Sequence, residues 1–197
     1  MEPDVALAPV PVGSEPWALE AGLRDLLRAL GEDPDRDGLV DTPSRVLRSL
    51  QELTGGYRQD PADLFRTFDA GPVDEMIVLR DIPFASLCEH HLLPFTGVAT
   101  VAYLPGGDVI GVSKLARLVD LYARRLQIQE RLTRQVTDAL HQYADVRAAA
   151  CIITAAHTCM TLRGVAKTGS SLVTSSLTGL FREDARARSE LLGLSNG

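Results

Sequence analysis

The chain has 197 residues, with 20 Lys plus Arg against 26 Asp plus Glu and a formal net charge of −6. Apolar residues make up 45% and charged residues 23%, a composition that excludes wholesale disorder, a collagen repeat and a disulfide scaffold. The acidic balance argues against a general nucleic-acid or membrane-surface binder, though not against a local basic pocket. The longest apolar run, Ala148–Ile153, is far short of a membrane span. Three cysteines cannot complete a disulfide framework, and Cys88 and Cys159 sit beside histidines while Cys151 does not. That split fits a reducing compartment with two cysteines on a metal and one spare. No secretory pattern occurs in Met1–Pro16, so the expected location is the cytoplasm.

Met1–Pro16, rich in Pro and Gly, reads as a disordered tail. Residues 17–197 read as one domain, with helices over about 17–56 and an α+β part over about 75–192. Leu19, Leu23, Leu26, Leu27 and Leu30 recur at helical spacing, and Gly31 follows where a helix end favours positive φ. Thr42 is a candidate N-cap, with Pro43 at the first helical position. Val46, Leu50 and Leu53 then form a stripe ended by Gly55-Gly56. Met76–Leu79 predicts a short strand, and Pro83 and Pro94 bracket an irregular stretch. Thr96–Tyr103 predicts a strand closed by a turn at Pro105-Gly106-Gly107. Helices follow over Ser113–Arg125 and Gln129–Tyr143, with Leu115, Leu118, Val119 and Tyr122 on one and Leu132, Val136 and Leu140 on the other. Ala148–Arg163 reads as one strand, Ser170–Ser176 as another, and Phe181–Leu191 as a closing helix. The order is that of an α+β fold with an antiparallel sheet.

Cys88-Glu89-His90-His91 carries the first chemical signal, since thiolate and imidazole are preferred zinc ligands. His157-Thr158-Cys159 carries the second. In a strand, His157, Cys159 and Arg163 would share one face. The metal candidates are therefore Cys88, His90, His91, His157 and Cys159. A structural zinc takes four ligands, and a catalytic zinc takes three with one position for water. The spacing leaves both open. Three ligands would leave two imidazoles that titrate near neutral pH, which suits a metal hydrolase. His141, on a helix, reads as a surface residue, and Cys151 as a small buried hydrophobe.

Ser113-Lys114 opens a helix, and Arg117 lies one turn further along. A helix N-terminus with added cations is a ready anion site. With Arg163 beside the metal candidates, the pattern suggests a phosphorylated substrate, although no P-loop motif is present. Gln129-Glu130 opens the next helix. A carboxylate there either matches a guanine edge or is simply a favourable acid in a first turn.

SLCEHHLLPF (86–95), IGVSKLARLVDLYARRLQIQERLT (110–133), HTCMTLRGV (157–165) and VTSSLTGLFRED (173–184) closely resemble the GTP cyclohydrolase I family, as does the helix start DTPSRV (41–46). The resemblance spans roughly Asp41 to Leu191. It implies a tunnelling fold, in which a four-stranded antiparallel sheet packs against helices, preceded by the N-terminal helical pair. It implies subunits joined into rings, two rings stacked as a homodecamer, and sites between subunits. The implied reaction converts GTP and water into 7,8-dihydroneopterin triphosphate and formate, the entry to tetrahydrofolate and pterin synthesis. By motif position, Cys88, His91 and Cys159 would hold Zn2+, leaving His90 and His157 for proton transfer. Glu130, with Gln129, would hold the guanine edge. Lys114, Arg117 and Arg163 would bind the triphosphate, with Arg45 a further phosphate contact and Ser113 near the ribose. Two alternatives stay open: a same-fold cyclohydrolase of a specialised deazapurine or pterin pathway, and a non-catalytic zinc-stabilised nucleotide-binding protein.

Overall fold

The computed structural model describes residues 16–71 and 73–196. The expected tail therefore lies outside the described residues, apart from Pro16, which opens α1 (Pro16–Ala29). The helix stops as its leucine pattern predicts. Gly31 adopts φ 89°, its N–H reaches Arg28 O, and the Glu32 N–H reaches Leu27 O, both at 3.0 Å. This paired closure satisfies carbonyls that the helix end would otherwise leave open. Helix α2 (Thr42–Leu53) begins one residue before the expected position. Asp41 occupies the cap, makes no side-chain cap bond, and Pro43 sits in the first turn. A short 3-10 turn, Gly55–Arg58, ends it. Helices α1 and α2 pack on one another.

After a second 3-10 turn at Pro61–Leu64, β1 (Thr67–Phe68) pairs antiparallel with β4 (Val109–Ile110). The main sheet has five strands in the order β5-β2-β3-β6-β7. They are β2 (Ile77–Cys88), β3 (Pro94–Pro105), β5 (Leu126–Gln127), β6 (Val146–His157) and β7 (Leu172–Leu177). The expectation of four strands omits β5, a two-residue strand that runs parallel to the end of β2. The other neighbours are antiparallel. The fold is α+β, as expected.

Two strand ends differ from expectation by more than two residues. β2 does not stop near Leu79 but continues through Pro83 to Cys88. A bulge between Leu79 and Ile82 breaks the apolar run, with Asp81 at φ 55°. Pro83 is tolerated because β5 covers the outer side of β2 only at Leu87 and Cys88, and an edge strand can lack a donor there. β6 stops at His157 instead of running to Arg163. Phe95 is the partner of His157, and Pro94 opens β3, so the ladder ends. The chain turns into α5 (Thr158–Thr161), and Thr158 Oγ1 donates to Pro94 O. The alternation argument for His157, Cys159 and Arg163 therefore fails beyond His157.

Helices α3 (Val112–Ala123) and α4 (Gln129–Tyr143) cover one face of the sheet. Leu115, Leu118, Val119, Leu132, Val136 and Leu140 meet Phe95, Val101, Tyr103 and Ile153 there. The alternate residues Ala102, Ala148 and Ala150 face the other way, onto Phe181 and Leu191. Those two come from α6 (Leu180–Glu183) and α7 (Ala185–Asn196). The expected closing helix is thus split at Asp184, whose carboxylate accepts from the Arg186 and Ala187 N–H groups. No helix among the described residues is long and apolar enough to cross a membrane.

Candidate active site

The end of β2 and the turn after it carry Cys88, Glu89, His90 and His91. The Leu92 N–H donates to Cys88 O at 2.9 Å, and the Cys88 N–H to Leu93 O at 2.9 Å. This closes the chain tightly enough that Leu92 takes φ 55°. The turn of α5 brings Cys159 to the same place. The ligand atoms of Cys88, His91 and Cys159 all lie within 4.8 Å of one another. Cys88 is buried, Cys159 half-buried and His91 exposed, so one side of the group is open. His91 Nδ1 and His90 Nδ1 each lie 3.8 Å from Cys88 Sγ.

The donor set fits a thiophilic divalent cation. Burial, followed by the neighbouring Cys88 thiol, holds the Cys159 thiol above its ordinary range. Two thiols this close resist ionising together, and a bound cation removes that cost while displacing their protons. Cys151, in contrast, is fully buried in the core, and burial alone pushes its thiol far up. It is inert packing, as its apolar context suggests.

His157 sits beside this group, at the end of β6, rather than on one strand face with Cys159. Its ring stacks on Phe95, with centroids 4.5 Å apart and planes 5° apart. Its Nε2 is 2.8 Å from Gln129 Oε1. Gln129 is fully buried, and its Nε2 donates to Ile153 O, Leu172 O and Thr174 Oγ1. Its Oε1 must therefore accept, which puts the His157 proton on Nε2 and the lone pair on Nδ1. Burial lowers the His157 pKa below its ordinary value, against a smaller opposing pull from Glu130. The neutral ring is thus favoured. Glu130 itself is exposed.

The cations divide into two sets. Arg163 Nη1 lies 3.5 Å from His91 Nε2 and 3.4 Å from Cys159 O, so it belongs with the Cys/His group. Ser113, Lys114 and Arg117 lie in the first turns of α3. That helix runs back towards β5, beside Cys88. Lys114 is therefore about 14 Å of helix from the metal end of its own chain. Arg45 is exposed on α2 and pairs with Asp41 at 3.0 Å. His141 is exposed, as expected.

Two partners escape the sequence analysis. Phe95 lies within an apolar run that carries no sign of a ring partner. Glu89 lies within the Cys/His cluster, yet nothing local points to Arg131, 42 residues away. Arg131 Nη1 and Nη2 donate to the two Glu89 carboxylate oxygens at 2.6 and 3.1 Å. That hydrogen bond is the main reason the Glu89 carboxyl lies below its ordinary pKa.

A family model described as GTP cyclohydrolase I matches residues 19–196. A protein named GTP cyclohydrolase 1 from Synechococcus sp. (strain JA-3-3Ab) is 54% identical over 188 residues, covering 93% of this chain and 82% of that one. One of the same name from Mycobacterium tuberculosis (strain ATCC 25177 / H37Ra) is 52% identical over 177 residues, covering 89% and 88%. Another from Thermoanaerobacter pseudethanolicus (strain ATCC 33223 / 39E) is 48% identical over 179 residues, covering 90% and 95%. With a match along nearly its whole length, and a Cys/His group that the resembling motifs assemble, this chain belongs to the GTP cyclohydrolase I family.

Proposed function

We propose that this chain converts GTP and water into 7,8-dihydroneopterin triphosphate and formate, the first step of tetrahydrofolate and pterin synthesis, in the cytoplasm. The observation that carries the reading is the meeting of Cys88, His91 and Cys159 within 4.8 Å, beside an imidazole that burial keeps neutral. Those three residues would hold zinc. When bound, zinc acts as a Lewis acid that makes water nucleophilic near neutral pH.

The chain's own groups do the rest. The Glu130 carboxylate accepts from N1–H and the exocyclic amine of guanine, in charge-assisted hydrogen bonds that adenine cannot offer. Gln129, whose amide is committed inside the chain, acts differently: it holds His157 by its Nε2–H. His157 Nδ1 is then left to exchange a proton with the purine as its five-membered ring opens. His90, with 63% of its side chain exposed, is the second acid–base group, which a reaction with successive proton transfers requires. Lys114, Arg117, Arg163 and Arg45 neutralise the triphosphate, and Ser113 meets the ribose.

Residues 17–197 act as one catalytic unit within a homo-oligomer of the tunnelling-fold type, a decamer by family resemblance. Lys114 and Arg117 open α3, the end remote from Cys88 in the same chain. This supports a site in which one copy supplies the metal group and another supplies phosphate contacts. Incubating the zinc-loaded protein with GTP tests the reaction. Formate and an oxidisable, fluorescent pterin are expected in equal amounts. Guanine nucleotide recovered intact would overturn the reading.

A further inference from the structure

Three consecutive residues at the start of α4 leave the helix in different directions, and each ends on a different part of the site. Gln129 holds His157. Glu130 is exposed and is the guanine reader of the proposed reaction. Arg131 reaches back to Glu89, in the turn between Cys88 and His91. We propose that Glu89 and Arg131 are positioning residues: their paired hydrogen bonds lock the metal-ligand turn to the helix that carries Glu130, and so set where the guanine ring stands relative to Cys88, His90 and His91. This rests on the cyclohydrolase reading given above.

Energy and geometry separate a positioning role from a merely stabilising one. The two side chains are 30% and 37% exposed, and ion pairs at such exposure contribute little to stability. Two parallel N–H···O bonds, at 2.6 and 3.1 Å, fix orientation as well as distance. Only a planar guanidinium offers that fork, and a lysine would not. The backbone of the turn is tied to β5 by the Glu89 N–H donating to Gln127 O at 3.0 Å. The Glu89 side chain ties it to α4 as well. The turn also holds Leu92 at φ 55°, a conformation that persists for a bulky residue only where its surroundings hold it. Glu89 Oε1 lies 3.9 Å from His90 Nε2, so a displaced carboxylate would also disturb the second acid–base group.

The test compares Glu89→Gln, Arg131→Met, Arg131→Lys and the double variant Glu89→Gln/Arg131→Met with the wild-type chain. A misplacement of about 1 Å costs about 100-fold in rate, so kcat is expected to fall about 10- to 100-fold in each variant. Arg131→Lys should fail to rescue, and the double variant should be no worse than the poorer single one. Equilibrium GTP binding and the thermal midpoint should stay close to wild type. Amide hydrogen exchange at Glu89 and Leu92, measured on the metal-free protein, should quicken while α4 stays protected. Wild-type kcat in Glu89→Gln and Arg131→Met would overturn the proposal. So would full rescue by Arg131→Lys, or a loss that merely tracks the folded fraction. If the wild-type chain makes no formate from GTP, the reaction assignment fails. The exchange measurement still judges the pair, because it needs neither metal nor substrate.

Discussion

Each functional side chain here takes its behaviour from a specific neighbour. Burial, followed by the neighbouring Cys88 thiol, pushes the Cys159 thiol up, and a bound cation would displace its proton. Cys88→Ser and Cys159→Ser should therefore lose zinc, as read by metal analysis of the purified variants. Stoichiometric zinc in both would sink the ligand assignment. His157 is oriented by Gln129 and Phe95, neither of which supplies a metal ligand. His157→Ala should keep zinc and bind GTP, while turnover falls by about 10²–10⁴-fold, the usual loss for an acid–base group. Glu130→Gln should chiefly weaken equilibrium GTP binding and relax discrimination against inosine and adenine nucleotides. The opposite pattern, weak binding in His157→Ala and normal binding in Glu130→Gln, would mean that the two roles are exchanged.

At the scale of elements, close backbone approach decides how α2 leads into the rest of the molecule. Gly56 donates its N–H to Arg124 O at 2.9 Å. A Cβ there would stand 2.0 Å from Leu121 O and 2.8 Å from Arg124 O. Those atoms are backbone at the end of α3 and cannot swing aside. Arg125 adds to the junction by donating to Gly56 O at 3.2 Å and lying over the rings of Tyr57 and Tyr122 at 5.6 and 4.9 Å. Gly56→Ala should destabilise the chain by about 1–3 kcal/mol or more, the cost of overpacking. Gly22, in the middle of α1 with nothing within 4 Å of a Cβ, makes the control. Gly22→Ala should raise stability by about 0.5–1 kcal/mol through helix propensity. Thermal denaturation of both variants checks the opposite signs, and a Gly56→Ala protein as stable as wild type would contradict the close packing.

For the whole molecule, the apolar surface is the informative quantity. Leu19, Leu26 and Leu30 on and just after α1 are 58%, 53% and 71% exposed, and Leu162 and Val165, after α5, are 75% and 64% exposed. β7 pairs with β6 on one side and, among the described residues, ends the sheet on the other. β7 itself exposes Leu172 and Val173, and an open strand edge that carries apolar side chains is a surface on which further chains pair. Sedimentation should accordingly find a large homo-oligomer at assay concentration, with activity lost on dilution to monomer. A fully active monomer would refute both the oligomer and a site shared between copies.

Much of the fold was legible because its signals are local. A leucine stripe followed by glycine marks the end of α1, and thiols beside imidazoles mark the metal group, whatever the rest of the chain does. The periodicity of α3 and α4 reports the face that the sheet covers, so their cores follow from spacing. Other features depend on neighbours that the linear order does not name. Pro83 looks like a strand breaker until the open edge of β2 is known. His157 and Cys159 look like partners on one strand until β3 runs out at Pro94 and the chain turns. Gln129 reads only as the opening of a helix, yet burial between Ile153 and Thr174 makes it the anchor of His157. Sequence alone determined which residue types could bind a metal and a nucleotide, because chemical identity belongs to the residue. Only the tertiary structure decided which of them meet, and that Glu89 and Arg131 join two parts of the site, because distance belongs to the fold.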